Sequence, residues 1–261
     1  MRTALKRQLA RAGGSSPAAG ASLLIYHRVG GGSPDERDLS VVDFEAQLDA
    51  LAGADVVPVD TALDRLDAGD GRPSVVLTFD DGFADVFHNA WPLLRERALP
   101  FTLYVAAGYV GGTMQWEGST ARQPGAAIGW DELAELSASG LCTVGNHTFT
   151  HARPHLLTTD ELDRCTAALF DRIGTRPRHF AYTWGVDVPD MHAALRERFR
   201  SAATGHLGRN GPGCDRMALR RIPVRRSDPI EFFRAKLAGR LLPERAYGAA
   251  VTMAKRLGAR G

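Results

Sequence analysis

Two pairs of residues in this chain have the chemistry and spacing of a hydrolytic metal site. The stretch VVLTFDDG ends an apolar, β-prone run with two adjacent carboxylates, Asp80 and Asp81. About 65 residues later, GNHTFTH places His147 and His151 four residues apart. Two imidazoles and one carboxylate form a three-ligand set that leaves a coordination position for water, and a divalent ion lowers the pKa of that water to about 7. The other aspartate is then free to accept the proton.

Each motif taken alone is also compatible with a structural role. A His pair with this spacing lies on one face of a helical turn, and such pairs are common without a metal. A DDG sequence is typical of a turn at a strand end. Neighbours on a strand face opposite sides, but Gly82 permits a turn that lets both carboxylates approach one site. The metal site is favoured because both motifs contribute to it.

The elements that carry these motifs alternate between strand and helix. About seven apolar strand candidates are separated by helical patterns, and no Gly-rich nucleotide motif follows any of them. This order predicts an α/β protein of one domain, an irregular (β/α)7-type barrel. Chemistry in such barrels gathers at the carboxyl ends of the strands, where His27 and the Tyr182–Trp184 segment also fall.

Composition excludes several classes of protein. The chain has 32 basic and 30 acidic side chains, a net charge of +2, which argues against a nucleic-acid partner. The three cysteines form no CxxC motif, so we expect free thiols. No apolar run reaches the roughly 20 residues of a membrane span, and no signal-peptide core is evident. We therefore expect a cytoplasmic location.

The predicted domain boundaries leave a tail at each end. Residues 1–21 are expected to form a basic N-terminal tail and linker, residues 22–240 the barrel domain, and residues 241–261 a C-terminal helical tail. The N-terminal helix is expected to be solvated. A weak contact with a membrane surface is the alternative, because its polar residues include four cations: Arg2, Lys6, Arg7 and Arg11.

TFDDG followed by HTFTH resembles the first two motifs of the polysaccharide deacetylases, carbohydrate esterase family 4, with the NodB-type domain. The resemblance extends from about Leu23 to Val224. It implies an irregular (β/α) barrel that removes acetyl groups from carbohydrates with a divalent metal, zinc being the expected ion. By position it implies the following roles: Asp80 as catalytic base, with Asp81, His147 and His151 as metal ligands.

The general acid departs from the main family pattern, which uses a histidine in a late strand. No such strand follows Ile222, whereas LLIYHRV places His27 at the end of the first strand. This resembles a circularly permuted subgroup that includes poly-N-acetylglucosamine de-N-acetylases. The first and last strands of a closed barrel are neighbours, so His27 can reach the same site and is the candidate acid. A core histidine is the structural alternative, and His206 is a weaker candidate acid.

The third motif, FAYTWG, also departs from the family. Ala181 stands where the family has an arginine that orients the base, and Trp184 replaces a tyrosine. Arg178 is near in sequence but three residues away, so the base is expected to lack this partner. The resemblance implies that Tyr182 and Trp184 contribute to substrate binding and the oxyanion site, where the indole can stack on a sugar ring.

The leading hypothesis is a metal-dependent hydrolase that removes N-acetyl groups from a polysaccharide or glycan precursor. It would use metal-bound water, an Asp base and a His acid, with an acetylated carbohydrate as its partner molecule. The alternatives are a deacetylase of a small acetylated metabolite and a non-catalytic carbohydrate-binding relative.

Overall fold

A computed structural model of the chain describes residues 2–11, 19–116 and 124–256. The predicted linker after the N-terminal helix, residues 12–18, lies outside the described residues, as does the end of the C-terminal tail, residues 257–261. In chain order the strands are β1 (Ala21–Tyr26), β2 (Arg28–Val29), β3 (Asp38–Leu39), β4 (Ser74–Phe79), β5 (Phe101–Val105), β6 (Thr113–Met114), β7 (Gly125–Ala126), β8 (Cys142–Asn146), β9 (His179–Ala181), β10 (Ser201–Leu207) and β11 (Leu219–Pro223). The helices are α1 (Arg2–Arg11), α2 (Val41–Ala50), α3 (Val59–Asp67), α4 (Trp91–Glu96), α5 (Trp130–Ala138), α6 (Thr159–Ile173), α7 (His192–Arg198), α8 (Ile230–Leu237) and α9 (Leu242–Arg256).

Seven of the described strands close into a parallel barrel in the order β1-β11-β10-β9-β8-β5-β4, with β4 pairing back to β1. β1, β4 and β5 are buried at every position, as parallel strands are when helices cover the outside and side chains fill the inside. The ladder between β10 and β11 shifts register between Ala203 and Leu207, which makes the barrel irregular. The predicted (β/α)7-type barrel is confirmed.

Closure of the barrel brings the chemical residues to one rim. His27 follows β1, the two aspartates follow β4, His147 follows β8 and Tyr182 follows β9. β1 pairs with β11, the last strand, with Leu23 opposite Arg221. The first and last strands are therefore neighbours, as expected when His27 was assigned to the site.

The N-terminal helix is docked, which corrects the expectation that it would be solvated. α1 packs against α8 and α9, and Lys6 is fully buried with its Nζ 2.6 Å from Asp228. The Lys6 ammonium also lies 4.2 Å from the centre of the Tyr247 ring. A buried ammonium is tolerated when it is paired and its remaining surface contacts aromatic rings. Burial lowers the pKa of Lys6, and Asp228 opposes that effect.

Among the described helices, none combines the length and the apolar character needed to cross a membrane.

The docking of α1 and α8 predicts that Asp228→Asn destabilises the protein. Asp228 pairs with both Lys6 and Lys236, at 2.6 Å each, so the substitution leaves two buried ammonium groups without this carboxylate. We expect the free energy of unfolding to fall by about 3–5 kcal/mol. Urea unfolding measures the change. Asp171→Asn, on an exposed position of α6, is the control and should change stability by less than about 0.5 kcal/mol; equal effects of the two substitutions would contradict the prediction.

Candidate active site

The turn after β4 gives the two adjacent aspartates different surroundings. Asp81 adopts φ 79° and Gly82 adopts φ 97°. The left-handed turn therefore begins at Asp81, one residue before the glycine at which the sequence predicted it. The Asp80 amide donates to the Tyr26 carbonyl at 3.0 Å, and the Asp81 carbonyl accepts from the Ala106 amide at 3.0 Å. These bonds fix the turn between β1 and β5, and the two carboxylates leave it toward different partners.

The two histidines converge through a loop, which corrects the expectation of a helical turn. Residues 147–152 contain no helix, and Thr148 and His151 adopt φ values of 66° and 54°. The Glu161 carboxylate, from α6, accepts hydrogen bonds from the backbone amides of Phe149 and Thr150 at 2.9 and 2.8 Å. This carboxylate stabilises a loop conformation that few non-glycine residues adopt unaided.

Within the described residues, one group of side chains has a geometry that suits a metal ion. It consists of Asp81, His147 and His151. The Asp81 Oδ1 atom lies 3.3 Å from the Nε2 atom of each imidazole, and all three side chains are buried. His147 Nδ1 donates to the Ala181 carbonyl at 2.8 Å, so in the neutral ring Nε2 presents a lone pair toward the carboxylate. Lone pairs that face one another are stabilised by a cation between them, so the donor set fits a divalent metal.

The electrostatics of the three groups reflect their mutual contact. Burial favours a raised pKa for Asp81, but the His147 and His151 imidazoles hold it well below its usual value. Burial opposes protonation of His147, yet Asp81 and Asp80 raise its pKa. Burial dominates at His151 and lowers its pKa.

His151 is held by aromatic contacts. Its ring stacks on Trp116, with centroids 3.9 Å apart, and lies 5.6 Å from the Trp184 ring. Within the described residues, His151 Nδ1 has no hydrogen-bond partner, unlike Nδ1 of His147. The stacking on Trp116 therefore supplies the orientation that a hydrogen bond supplies at His147. Sequence reasoning missed Trp116 because no motif contains it.

Asp80 has an arginine partner, which corrects the expectation that none was present. Arg221 on β11 binds it with two parallel hydrogen bonds, Nη1 to Oδ1 at 2.6 Å and Nη2 to Oδ2 at 2.8 Å. Arg221 is fully buried and also donates from Nε to the Thr204 carbonyl at 2.7 Å. Burial would raise the pKa of Asp80, but Arg221 and His147 keep it below its usual value. The sequence signal was an arginine within the apolar strand ALRRIPV.

A cavity of about 280 Å³ brings most of the predicted site residues together. His27, Asp80, Asp81 and the two metal-site histidines line it, and Trp184 does so from a left-handed conformation with φ 61°. Burial lowers the pKa of His27, whereas Asp81 and Asp80 oppose that effect.

Tyr182 does not reach this cavity, which corrects its predicted place there. Its hydroxyl donates to the Met217 carbonyl at 3.0 Å, and its amide donates to the Ala203 carbonyl at 2.9 Å. Both hydrogen-bond donors of Tyr182 are thus engaged outside the cavity. His206, the weaker candidate for the acid, is exposed and is also not among the residues that line the cavity.

Comparison with known proteins identifies the family. A sequence model described as polysaccharide deacetylase matches residues 67–198. The structure of IcaB from Ammonifex degensii is similar at 30% sequence identity, covers 85% of this chain and 97% of IcaB, and gives a TM-score of 0.71. The chain belongs to the polysaccharide deacetylase family. This deacetylase is therefore a carbohydrate-active hydrolase, and the resemblance inferred from its motifs is confirmed.

More distant structures share the fold of this deacetylase. The Streptococcus pyogenes deacetylase PplD is 20% identical, with 81% of this chain and 94% of PplD covered and a TM-score of 0.65. A de-N-acetylase from Aggregatibacter actinomycetemcomitans is also 20% identical, with 82% and 99% covered and a TM-score of 0.63. A search of curated protein sequences finds no match.

The buried pair predicts a large effect of Arg221→Met on stability. The substitution keeps much of the side-chain volume but leaves the Asp80 carboxylate buried without its guanidinium, so we expect a loss of about 3–5 kcal/mol in the free energy of unfolding. Calorimetry of the purified variants measures it. Arg178→Met removes an exposed arginine, 3.2 Å from Asp60, and should cost at most about 1 kcal/mol. Comparable losses in both variants would argue against a special role for the buried pair.

Proposed function

We propose that this deacetylase removes N-acetyl groups from a carbohydrate. Asp81, His147 and His151 would hold a divalent metal ion, zinc being the expected one. Asp80 would serve as general base and His27 as general acid. The observation that carries the proposal is the convergence of these five side chains on one cavity, with the Asp80 carboxylate already oriented by Arg221.

The metal, when bound, supplies a Lewis acid that polarises the acetyl carbonyl and lowers the pKa of water. Asp80 accepts the proton of the water that attacks the acetyl carbonyl carbon. The Arg221 guanidinium keeps the buried Asp80 carboxylate ionised, so it is able to accept a proton. Arg221 holds both carboxylate oxygens, so the base has one orientation toward the cavity.

His27 donates a proton to the nitrogen as the C–N bond breaks, because an amine leaves as a neutral molecule far more readily than as an amide anion. Burial makes the protonated ring a stronger acid, while Asp80 and Asp81 favour its protonated form. Burial is the larger effect, so the pKa of His27 is below its usual value and its protonated ring gives up a proton readily.

The Trp184 ring supports a carbohydrate as substrate. It lines the cavity and remains 39% exposed, an unusual exposure for so large an apolar side chain. A sugar presents apolar C–H faces that stack on exposed indole rings. The substitution of tyrosine by tryptophan enlarges the surface available for that contact.

Substitutions of Asp80 and His147 separate metal binding from base catalysis. Asp80→Asn should keep one bound metal ion per chain and lose deacetylation by about 10²–10⁴-fold, since Asn cannot accept the proton. His147→Ala should lose both the bound metal ion and deacetylation. Metal analysis after dialysis and acetate release from N-acetylglucosamine oligomers provide the measurements. His155→Ala, at an exposed position outside the ligand group, should change neither; full activity in Asp80→Asn would refute the assignment of the base.

Substitution of His27 tests the general acid. His27→Gln should reduce amide hydrolysis by about 10²–10⁴-fold. Hydrolysis of 4-nitrophenyl acetate should fall less than about tenfold, because nitrophenolate leaves without a proton. Initial rates on both substrates give the comparison, with exposed His206→Gln as the control. Equal losses on both substrates would show that His27 acts in some other way than as the acid.

A further inference from the structure

The cavity carries two arginines that the proposed reaction does not use. Arg37 and Arg225 line it together with His27 and the metal-site residues. Arg37 lies in the loop between β2 and β3, and Arg225 follows β11. A neutral acetylated sugar needs neither positive charge for binding or for hydrolysis.

The barrel places both arginines on the side of the cavity that carries His27. β1, which precedes His27 and the Arg37 loop, pairs directly with β11, which precedes Arg225. β8, which precedes the two histidines of the ligand group, lies across the barrel from the β1–β11 pair in the strand order. The two histidines of the ligand group therefore lie across the cavity from the arginines, whereas Asp81, which follows β4 beside β1, lies between the histidines and the arginines.

The charge at Arg225 is fixed by a buried cluster behind it. Arg225 pairs with Glu244 of α9, Glu244 also lies 3.0 Å from Lys236, and Lys236 and Lys6 share Asp228. Three cations thus face two carboxylates, and the cluster keeps an excess positive charge. The side chain of Arg225 is 30% exposed, whereas the other four are buried. Arg225 is the member of this cluster that lines the cavity, so its guanidinium is placed to meet a bound anion.

The two aspartates of the cavity have other partners than these arginines. Asp80 is paired with the Arg221 guanidinium, and Asp81 faces the two imidazoles of the ligand group, so neither carboxylate forms an ion pair with Arg37 or Arg225. Arg37 is paired with Asp35 through Nε and Nη2, at 3.0 and 2.7 Å, which orients the guanidinium and leaves its Nη1 outside that pair. Arginines held in place by their partners recognise carboxylate and phosphate oxygens with little loss of entropy.

We propose that Arg37 and Arg225 form an anion subsite, and that the substrate is an acetylated sugar that also bears a carboxylate or a phosphate ester. The inference rests on the proposed function, since it assigns the substrate class of the same site. The sugar would place its acetamido group toward the metal ligands and its anionic group toward the two arginines.

The test compares three sugars that differ in one group. They are the methyl glycoside of N-acetylglucosamine, its 6-phosphate, and the analogue in which carbon 6 is oxidised to a carboxylate. We expect kcat/KM for acetate release to be at least tenfold higher for one anionic sugar than for the neutral one. The preferred anionic sugar distinguishes phosphate from carboxylate. The preference should weaken in high salt, because cations at a partly exposed rim are screened.

Variants assign the preference to the subsite. Arg37→Met and Arg225→Met should each reduce the ratio of anionic to neutral kcat/KM at least threefold, and Arg225→Lys should retain more of it than Arg225→Met. Arg176→Met removes an exposed arginine that lies over the Phe170 ring, and should leave the ratio unchanged. A neutral sugar hydrolysed as well as both anionic sugars, or a ratio that survives both methionine substitutions, would overturn the proposal.

A binding measurement separates failure of this inference from failure of the proposed function. If none of the sugars releases acetate, the proposed reaction fails for this substrate class. Calorimetric titration of the wild-type protein with the same three sugars then still tests the subsite. Tighter binding of an anionic sugar, lost in Arg225→Met, supports it, and equal affinities for all three sugars count against it.

Discussion

Arg221 and Asp80 form a buried, bidentate ion pair that spans the seam where the barrel closes. Arg221 extends from β11 past β1 to the end of β4, and its Nε also bonds to the Thr204 carbonyl on β10. Four consecutive strands are therefore tied together at the rim that carries the site. Each charge alone would be costly to bury, so the pair favours the arrangement that brings β11 and the end of β4 together.

The same pair explains how two neighbouring aspartates come to have different partners. Asp80 is committed to a guanidinium, whereas the left-handed conformation of Asp81 directs its carboxylate to the two imidazoles. A bidentate contact uses one lone pair on each carboxylate oxygen, so Asp80 keeps others with which it can accept a proton. The Asp81 carboxylate carries a negative charge beside two imidazole nitrogens, and this combination of ligand atoms suits a divalent cation. The difference lies in the neighbours that the barrel supplies to each residue.

The sequence predicted what depends on local pattern and residue type. Alternating strands and helices gave the barrel, and motif spacing brought Asp81 together with the two histidines of the ligand group. Arg221 escaped prediction because its partner is 141 residues away and depends on how strands meet at closure. Lys6 escaped for the same reason, since its partner, Asp228, is 222 residues away. The predicted position of Tyr182 in the cavity was wrong because the motif does not reveal which group accepts a hydrogen bond from its hydroxyl.

The terminal helices affect the cavity through one carboxylate. Asp228 accepts hydrogen bonds from the ammonium groups of Lys6 and Lys236 and from the Arg225 amide at 2.9 Å, which leaves one of its roughly four acceptor positions. The Arg225 guanidinium pairs instead with Glu244 of α9. The Lys6 ammonium of α1 thus shares a carboxylate with Lys236, which in turn shares Glu244 with Arg225. A helix outside the barrel thereby contributes to the charge that a substrate meets, although none of its side chains lines the cavity.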